Sequence, residues 1–280
     1  MLAVIKRWMV AHAQPKSRAG RGKVVTILGQ EFDIEGRGDF FDSLPSRGAY
    51  HDPLFDVFAM VVRPDAICLD VGANIGLMTM VLARLAPSGM VTAIEPDDES
   101  LAYLGRNIRT NRLDNVTAVR TLLAASRTRK IFIRNIGEPG CSASAPAEIA
   151  RGIAHAGLEH AEMACATLDD VVRDLQLERL DFIKIDCEGA DLEVLEGARE
   201  TLARFRPAVI LEFNAHCIMN IARVNPPDAL DRIMQIFPQV RRIAISRDFK
   251  GYLVPIDDRY VFMHDHLMKR GSREDLLGTF

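Results

Sequence analysis

Three absences narrow what this 280-residue sequence can be. There is no basic excess: 35 Lys and Arg stand against 38 Asp and Glu, a net charge of -3, so nothing suggests a nucleic-acid binder. No apolar run approaches the ~20 residues that a membrane-spanning helix needs. The five cysteines, Cys68, Cys141, Cys165, Cys187 and Cys217, are odd in number and contain no CxxC pair. Neither a disulfide framework nor a structural zinc site is therefore expected, and a reducing cytoplasm fits best. One absence is local. The first 23 residues carry Lys6, Arg7, Lys16, Arg18, Arg21 and Lys23 but no acid. They read as a solvated arm, or as a short basic amphipathic helix with Leu2, Ile5, Trp8 and Met9 on one side, able to touch an anionic membrane surface. With no long apolar segment and no cleavage site there, no secretory signal is expected.

What is present is the composition of a globular protein, 48% hydrophobic and 26% charged. From about residue 66, short apolar runs alternate with segments of helical period, the pattern of βαβ units and a mainly parallel sheet. Strands are predicted at 66–71, 90–95, 115–119, 180–185 and 207–213, and helices at 76–86, 98–111, 167–176 and 189–205. The strands contain few polar residues, as expected where helices cover both faces. Ahead of them, 23–36 reads as a hairpin around Gly29 and Gln30, and 52–62 as a helix ended by Pro64. After the third core strand come a strand, a Gly/Pro/Ser/Ala-rich loop and a returning strand. Beyond 225, a helix at 227–237 is followed by strand-like stretches at 240–246, 251–256 and 260–265. The expected organisation is an N-terminal extension, 1–45, and one α/β domain, 46–280.

In an open α/β sheet, ligands collect beyond the carboxyl ends of the strands. "LDVGANIG" (69–76) puts Gly72 and Gly76 in the turn out of the first strand, where the backbone can bend tightly. Glu95, at the end of the second strand, is placed to accept hydrogen bonds from ribose hydroxyls. A nicotinamide dinucleotide site, and hence an oxidoreductase, is the competing reading. Its fingerprint is G-x-G-x-x-G, whereas this turn is Gly72-Ala73-Asn74-Ile75-Gly76, preceded by Asp70. A negative Asp70 suits an ammonium or sulfonium group better than a pyrophosphate, and S-adenosylmethionine carries both cations and no phosphate.

"LDVGANIG", "IEP" (94–96), "TLDDV" (167–171), "FIKIDCEGADLEVLEGA" (182–198) and "PAVILEFN" (207–214) together resemble the FkbM family of S-adenosylmethionine-dependent methyltransferases over roughly residues 50–215. Cys187 stands where that family usually shows Val. The resemblance implies a class I methyltransferase fold, a Rossmann-like doubly wound seven-stranded sheet with its last strand antiparallel, acting mostly by O-methylation. It further implies that Asp70, Gly72, Asn74 and Gly76 line the methionine portion and that Glu95 serves the ribose, with Ala73 and Pro96 as further cofactor contacts. Adenine is expected near Arg120 to Leu123. Asn111, the stretch Thr121 to Ala124 and the loop 140–146 are further candidate neighbours of cofactor or substrate.

Methyl transfer is an in-line displacement, so a hydroxyl acceptor needs positioning and either a general base or a cation that acidifies it. Asp186, at the end of the fourth strand and also a candidate cofactor contact, is the best-placed carboxylate, with Glu188 beside it. Asp186, Glu212 and Asn214 are also an oxygen-rich candidate set for Mg²⁺. Asp191 reads as a favourable first-turn acid of the following helix. His216 and His51 are candidate bases, and Ser142 and Ser144 candidate hydrogen-bonding partners of a substrate. The expected partner is a small-molecule or glycan hydroxyl. A methyltransferase-like fold that binds without turnover is the reading outside enzymes.

Overall fold

The computed structural model describes residues 6–8, 22–137, 142–150, 152 and 157–280. Most of the basic N-terminal arm lies outside these, and so does its suggested membrane contact. The five predicted core strands are present as Ile67–Val71, Met90–Ile94, Val116–Arg120, Phe182–Ile185 and Ala208–Asn214. All run parallel to their neighbours among them. Phe182–Ile185 shows why they read as strands: all four residues are buried, because helices cover both faces.

The strand Arg273–Thr279 lies antiparallel between Ala208–Asn214 and Gln239–Ile245. Seven strands thus run in the class I methyltransferase order, extended at the two edges by Lys6–Trp8 and Gly251–Pro255 to a nine-stranded sheet. The strand predicted at 260–265 is instead part of a helix, Arg259–Lys269. Its β-favouring "YVF" is overridden locally: the Asp258 carboxylate accepts from the backbone N–H of Tyr260 and Val261, an N-cap, and Phe262, Met263 and His266 are buried at helical spacing. The antiparallel strand was hidden by its polar start, Arg273-Glu274-Asp275.

Helices Pro53–Val61, Leu77–Leu85 and Asp98–Thr110 pack on one face with the N-terminal hairpin. There Phe58 meets Phe182 edge to face, with ring centroids 5.5 Å apart. Burying a ring of that size stabilises the fold by about 1.5–3 kcal/mol. The hairpin strands Lys23–Ile27 and Gln30–Ile34 turn at Leu28 and Gly29, both at positive φ, and bury Val25, Ile27, Phe32 and Ile34 in the same core. Asn107 and Asn111, one helical turn apart, act as the hairpin's hydrogen-bonding partners. Their Oδ1 atoms accept from the N–H of Glu35 and Asp33, at 2.8 and 2.9 Å. Asn111, a candidate cofactor neighbour, is thus committed to the hairpin instead.

The other face carries Leu168–Asp174, Asp191–Glu196, Arg199–Phe205, Pro226–Ile236 and Arg259–Lys269. The predicted helix 189–205 is broken at Gly197, where a Cβ would collide with the carbonyl of Ala124. Between the third and fourth core strands, the chain makes a second sheet from Leu122–Leu123, Arg129–Asn135, Ala143–Ala145 and Leu158–Ala166. Ion pairs fasten it down: Arg134 meets Asp97 and Glu99, and Lys130 meets Glu193. No helix among the described residues is long and apolar enough to cross a membrane.

Candidate active site

A cleft of about 570 Å³ opens at the carboxyl ends of the first three core strands and Phe182–Ile185. Gly72, Asn74, Glu95, Pro96, Thr121, Asp186 and Glu188 line it, under a roof of Phe132, Ser142 and Ser144 from the second sheet.

Gly72, at φ 77°, lets the first strand end pass the fourth: a Cβ there would collide with the Asp186 carbonyl. Asn74 follows in the left-handed region at φ 50°, a conformation its short side chain tolerates. Glu95 is locked by two backbone donors, since Oε2 accepts from Asn74 N at 2.8 Å and Oε1 from Asp97 N at 2.9 Å. Burial pushes the Glu95 carboxyl up to about 7, although both N–H groups pull the other way. Above it, the hydroxyls of Thr121 and Ser144 are buried and without a hydrogen-bond partner. A buried hydroxyl left unpaired costs roughly 1–3 kcal/mol, so a pair of them in one cleft marks places for ligand atoms.

At the fourth strand's end, "KIDCEG" folds into a tight turn. Asp191 reaches back to it, Oδ1 accepting from Cys187 N and Oδ2 from Gly189 N, each at 3.1 Å. It locks the turn rather than serving only the helix dipole, and burial with the nearby Asp186 pushes it up to about 7. Glu188 is held at φ 48° on the cleft wall, where burial, followed by Asp186, raises its pKa. Asp186, one third exposed, pairs with the Lys184 ammonium at 3.2 Å. Lys184 is buried between Asp186 and Asp70 and also stands 3.7 Å from the Asp70 carboxylate. Burial opposes its charge, but the two carboxylates outweigh burial and hold its pKa above the usual lysine range.

Several expected residues lie elsewhere. Asp70 is fully buried and bonded to Thr79, so it acts behind the cleft through Lys184. Gly76 begins Leu77–Leu85 at φ 93°, against Leu104, and Ala73 is buried in the turn. Ala124 faces the Gly197 break and bonds Ala166 O. His216 is exposed and bonded to Asn220 of its own helix, while His51 contacts Phe249 O and Asp56. Of the metal set, Asn214 Nδ2 donates to Glu212 Oε2 at 3.5 Å. Asn214 Oδ1 caps Ala215–Asn220 by accepting from Cys217 N, and Glu212 pairs with Arg273. Among the described residues no group of three acids, histidines or cysteines is arranged to hold a metal ion. Sequence reasoning missed Lys184, Thr79 and Phe132. The one available signal was a lysine inside an otherwise apolar strand.

The sequence pattern of the Methyltransferase FkbM domain matches residues 70–241, more than half of the chain. The chain belongs to the FkbM methyltransferase family. This FkbM chain is 30% identical to Methyltransferase sdnD of Sordaria araneosa over 174 residues, 54% of its own length and 66% of that protein's. It is 28% identical to the AMB antimetabolite synthetase AmbE of Pseudomonas aeruginosa over 218 residues, 66% of the chain but 10% of AmbE. It is 23% identical to the 2-O-methyltransferase NoeI of Sinorhizobium fredii over 158 residues, 54% of the chain and 64% of NoeI. The FkbM chain thus spans under two thirds of the length of each of these relatives. Among solved structures it is similar to methyltransferase FkbM from Methylobacillus flagellatus KT, with a TM-score of 0.46 and 19% identity, covering 77% of this chain and 44% of that one.

Proposed function

We propose that this chain is an S-adenosylmethionine-dependent methyltransferase acting on a hydroxyl of a small molecule or glycan. The observation that carries the reading is the cleft itself. It combines Glu95, with both oxygens pinned by backbone N–H groups, and the unpartnered hydroxyls of Thr121 and Ser144. That donor and acceptor set fits a nucleoside: Glu95 would hold the ribose hydroxyls, Thr121 and Ser144 the purine side, and the Gly72–Asn74 backbone the amino-acid end. A pyrophosphate would meet the Asp186 and Glu188 carboxylates at the same wall, which disfavours a dinucleotide. When bound, the cofactor supplies a methyl group made electrophilic by its sulfonium.

The chain's own residues then have three tasks. Lys184 fixes Asp186 at the mouth, so that this carboxylate can orient an incoming hydroxyl. Glu188, raised by burial, accepts the hydroxyl's proton. The Phe132 and Ser144 roof excludes water. The hairpin within the extension 1–45 braces the unit 46–280, and the cysteines, four of them free among the described residues, fit a reducing cytoplasm. The 2-O-methylation named for NoeI agrees with an oxygen acceptor. Asp186→Ala tests the reading: methyl transfer is lost while S-adenosylhomocysteine still binds, whereas unchanged transfer would remove Asp186 from the mechanism.

A further inference from the structure

The second sheet, which roofs the cleft, is joined to the rest of the fold narrowly on one side and by charge on the other. In its strand Arg129–Asn135, Ile131 and Ile133 pack in a small cluster with Ala145 and Ala150. The alternate residues Lys130, Phe132 and Arg134 share the face turned to the cleft, where Phe132 lines the roof. Phe132 packs with Leu122, Ala124 and Cys165 in a cluster separate from both large cores. Among the described residues of this sheet, only Leu123 and Ala166, at its inner end, belong to a large core. Residues 158–164 pair with Arg129–Asn135, which pairs with Ala143–Ala145, so these strands form one unit. That unit meets Leu122–Leu123 through Cys165 and Ala166, a narrow hinge.

Two cations hold the outer side down. Lys130, 8% exposed, donates to both carboxylate oxygens of Glu193. Arg134 meets Asp97 at 2.8 Å, Glu99, and Glu159 of its own sheet at 3.3 Å. The partners stand beside the cleft walls. Glu193 lies in Asp191–Glu196, whose Asp191 holds the turn that carries Glu188. Asp97 N donates to Glu95 Oε1. The strand Arg129–Asn135 is therefore a strap from the Glu95 wall to the Glu188 turn, with Phe132 between its two fastenings. Lifting it strands no buried acid: Glu193 is partly in water, Glu99 keeps Arg37, and Asp97 keeps the N–H groups of Glu99 and Ser100. A unit with few apolar anchors and exchangeable ion pairs is where a fold opens first.

Resting on the cofactor reading of the cleft, we propose that Lys130 and Arg134 are positioning residues that latch the second sheet as a gate over the cofactor, and that the gate turns about Leu122–Leu123. Both latches join protein to protein and touch no ligand, so they oppose opening equally before and after binding. Weakening them speeds entry and exit together and leaves affinity nearly constant. Damage to the cleft itself would instead raise the off-rate at the expense of affinity.

Surface plasmon resonance on the immobilised full chain tests this with S-adenosylhomocysteine, whose ammonium and carboxylate cancel, so that steering by charge is small. Between about 50 and about 500 mM sodium chloride, on-rate and off-rate should rise together as the latches are screened. Lys130→Met should raise both about tenfold at low salt, with the dissociation constant changed by less than about twofold. Arg134→Gln, at the more exposed latch, should raise both about threefold. Adding Glu193→Gln to Lys130→Met should change nothing further, because the lysine acts through that carboxylate. The salt series needs no substitution and stands even if Lys130→Met does not fold. Iodoacetamide labelling of Cys165, buried beneath the roof with Phe132, follows opening without any cofactor and should accelerate in the same order. Rates unmoved by salt and by both substitutions, or off-rates that rise with a matching loss of affinity, would overturn the proposal. If S-adenosylhomocysteine does not bind, faster Cys165 labelling in Lys130→Met would keep the gate and remove the cofactor reading, and unchanged labelling would overturn the gate as well.

Discussion

The cleft beside Ile67–Val71 and a second cavity beside Gln239–Ile245 share one edge of the sheet but are built differently. The first is made mostly from backbone: Gly72 and Asn74 at positive φ, amide groups pinning Glu95, and a turn locked by Asp191. The second is made from long side chains in ion pairs, on elements far apart in sequence. A backbone site is pre-shaped and admits little change, which suits a cofactor of fixed structure. A side-chain site can be altered residue by residue without refolding the sheet.

Substitutions at the cleft should have the largest effect. Lys184→Met removes the cation between Asp70 and Asp186 and leaves the buried Asp70 carboxylate with only the Thr79 hydroxyl, so about 3–5 kcal/mol of stability should be lost, read from denaturant unfolding. Gly72→Ala adds both strain at φ 77° and the collision with Asp186, and it should abolish S-adenosylhomocysteine binding in calorimetry. An intact Gly72→Ala protein with normal affinity would break the contrast between the two sites.

Next comes Glu188→Gln, expected to slow methyl transfer by about 10²–10⁴-fold with cofactor affinity unaltered, measured with radiolabelled methyl donor. Because burial raises Glu188, wild-type transfer should climb with pH as this carboxyl deprotonates and then level off, and the variant should lack that limb.

Smaller and more diagnostic is the pH dependence of stability. Glu95 and Asp191 are each pushed up to about 7 in the fold, from ordinary values of 4.5 and 3.8. Between the unfolded and folded values the native state holds protons that the unfolded chain has released, so stability falls as pH rises through that window. Thermal melts between about pH 4 and about pH 8 should show the decline, and Asp191→Asn should flatten part of it. A melting temperature that rises across the range would contradict the assigned burial.

The same contrast explains what the sequence revealed. The parallel strands were legible because both faces are buried, leaving apolar runs that only an interior strand needs. Gly72, Glu95 and Asp186 were legible because they sit at strand ends, where local order places them. Asn111 and Ala124 do not line the cleft, and the partners that hold them, Asp33 and Ala166, are distant in sequence. Asn214 looked like a metal ligand because a helix cap and a ligand use the same side-chain oxygen. The second cavity was invisible because it depends on Arg273–Thr279 returning antiparallel beside Ala208–Asn214, a pairing that no local pattern announces.

On the proposed reading, the backbone-built cleft takes a nucleoside without a pyrophosphate. Isothermal titration of the full chain with S-adenosylhomocysteine and then NADH tests it directly. Clear heat is expected with S-adenosylhomocysteine, weakened about tenfold or more in Glu95→Gln by loss of a carboxylate hydrogen-bond acceptor, with no competition from NADH. No heat with S-adenosylhomocysteine together with saturable binding of NADH would contradict it.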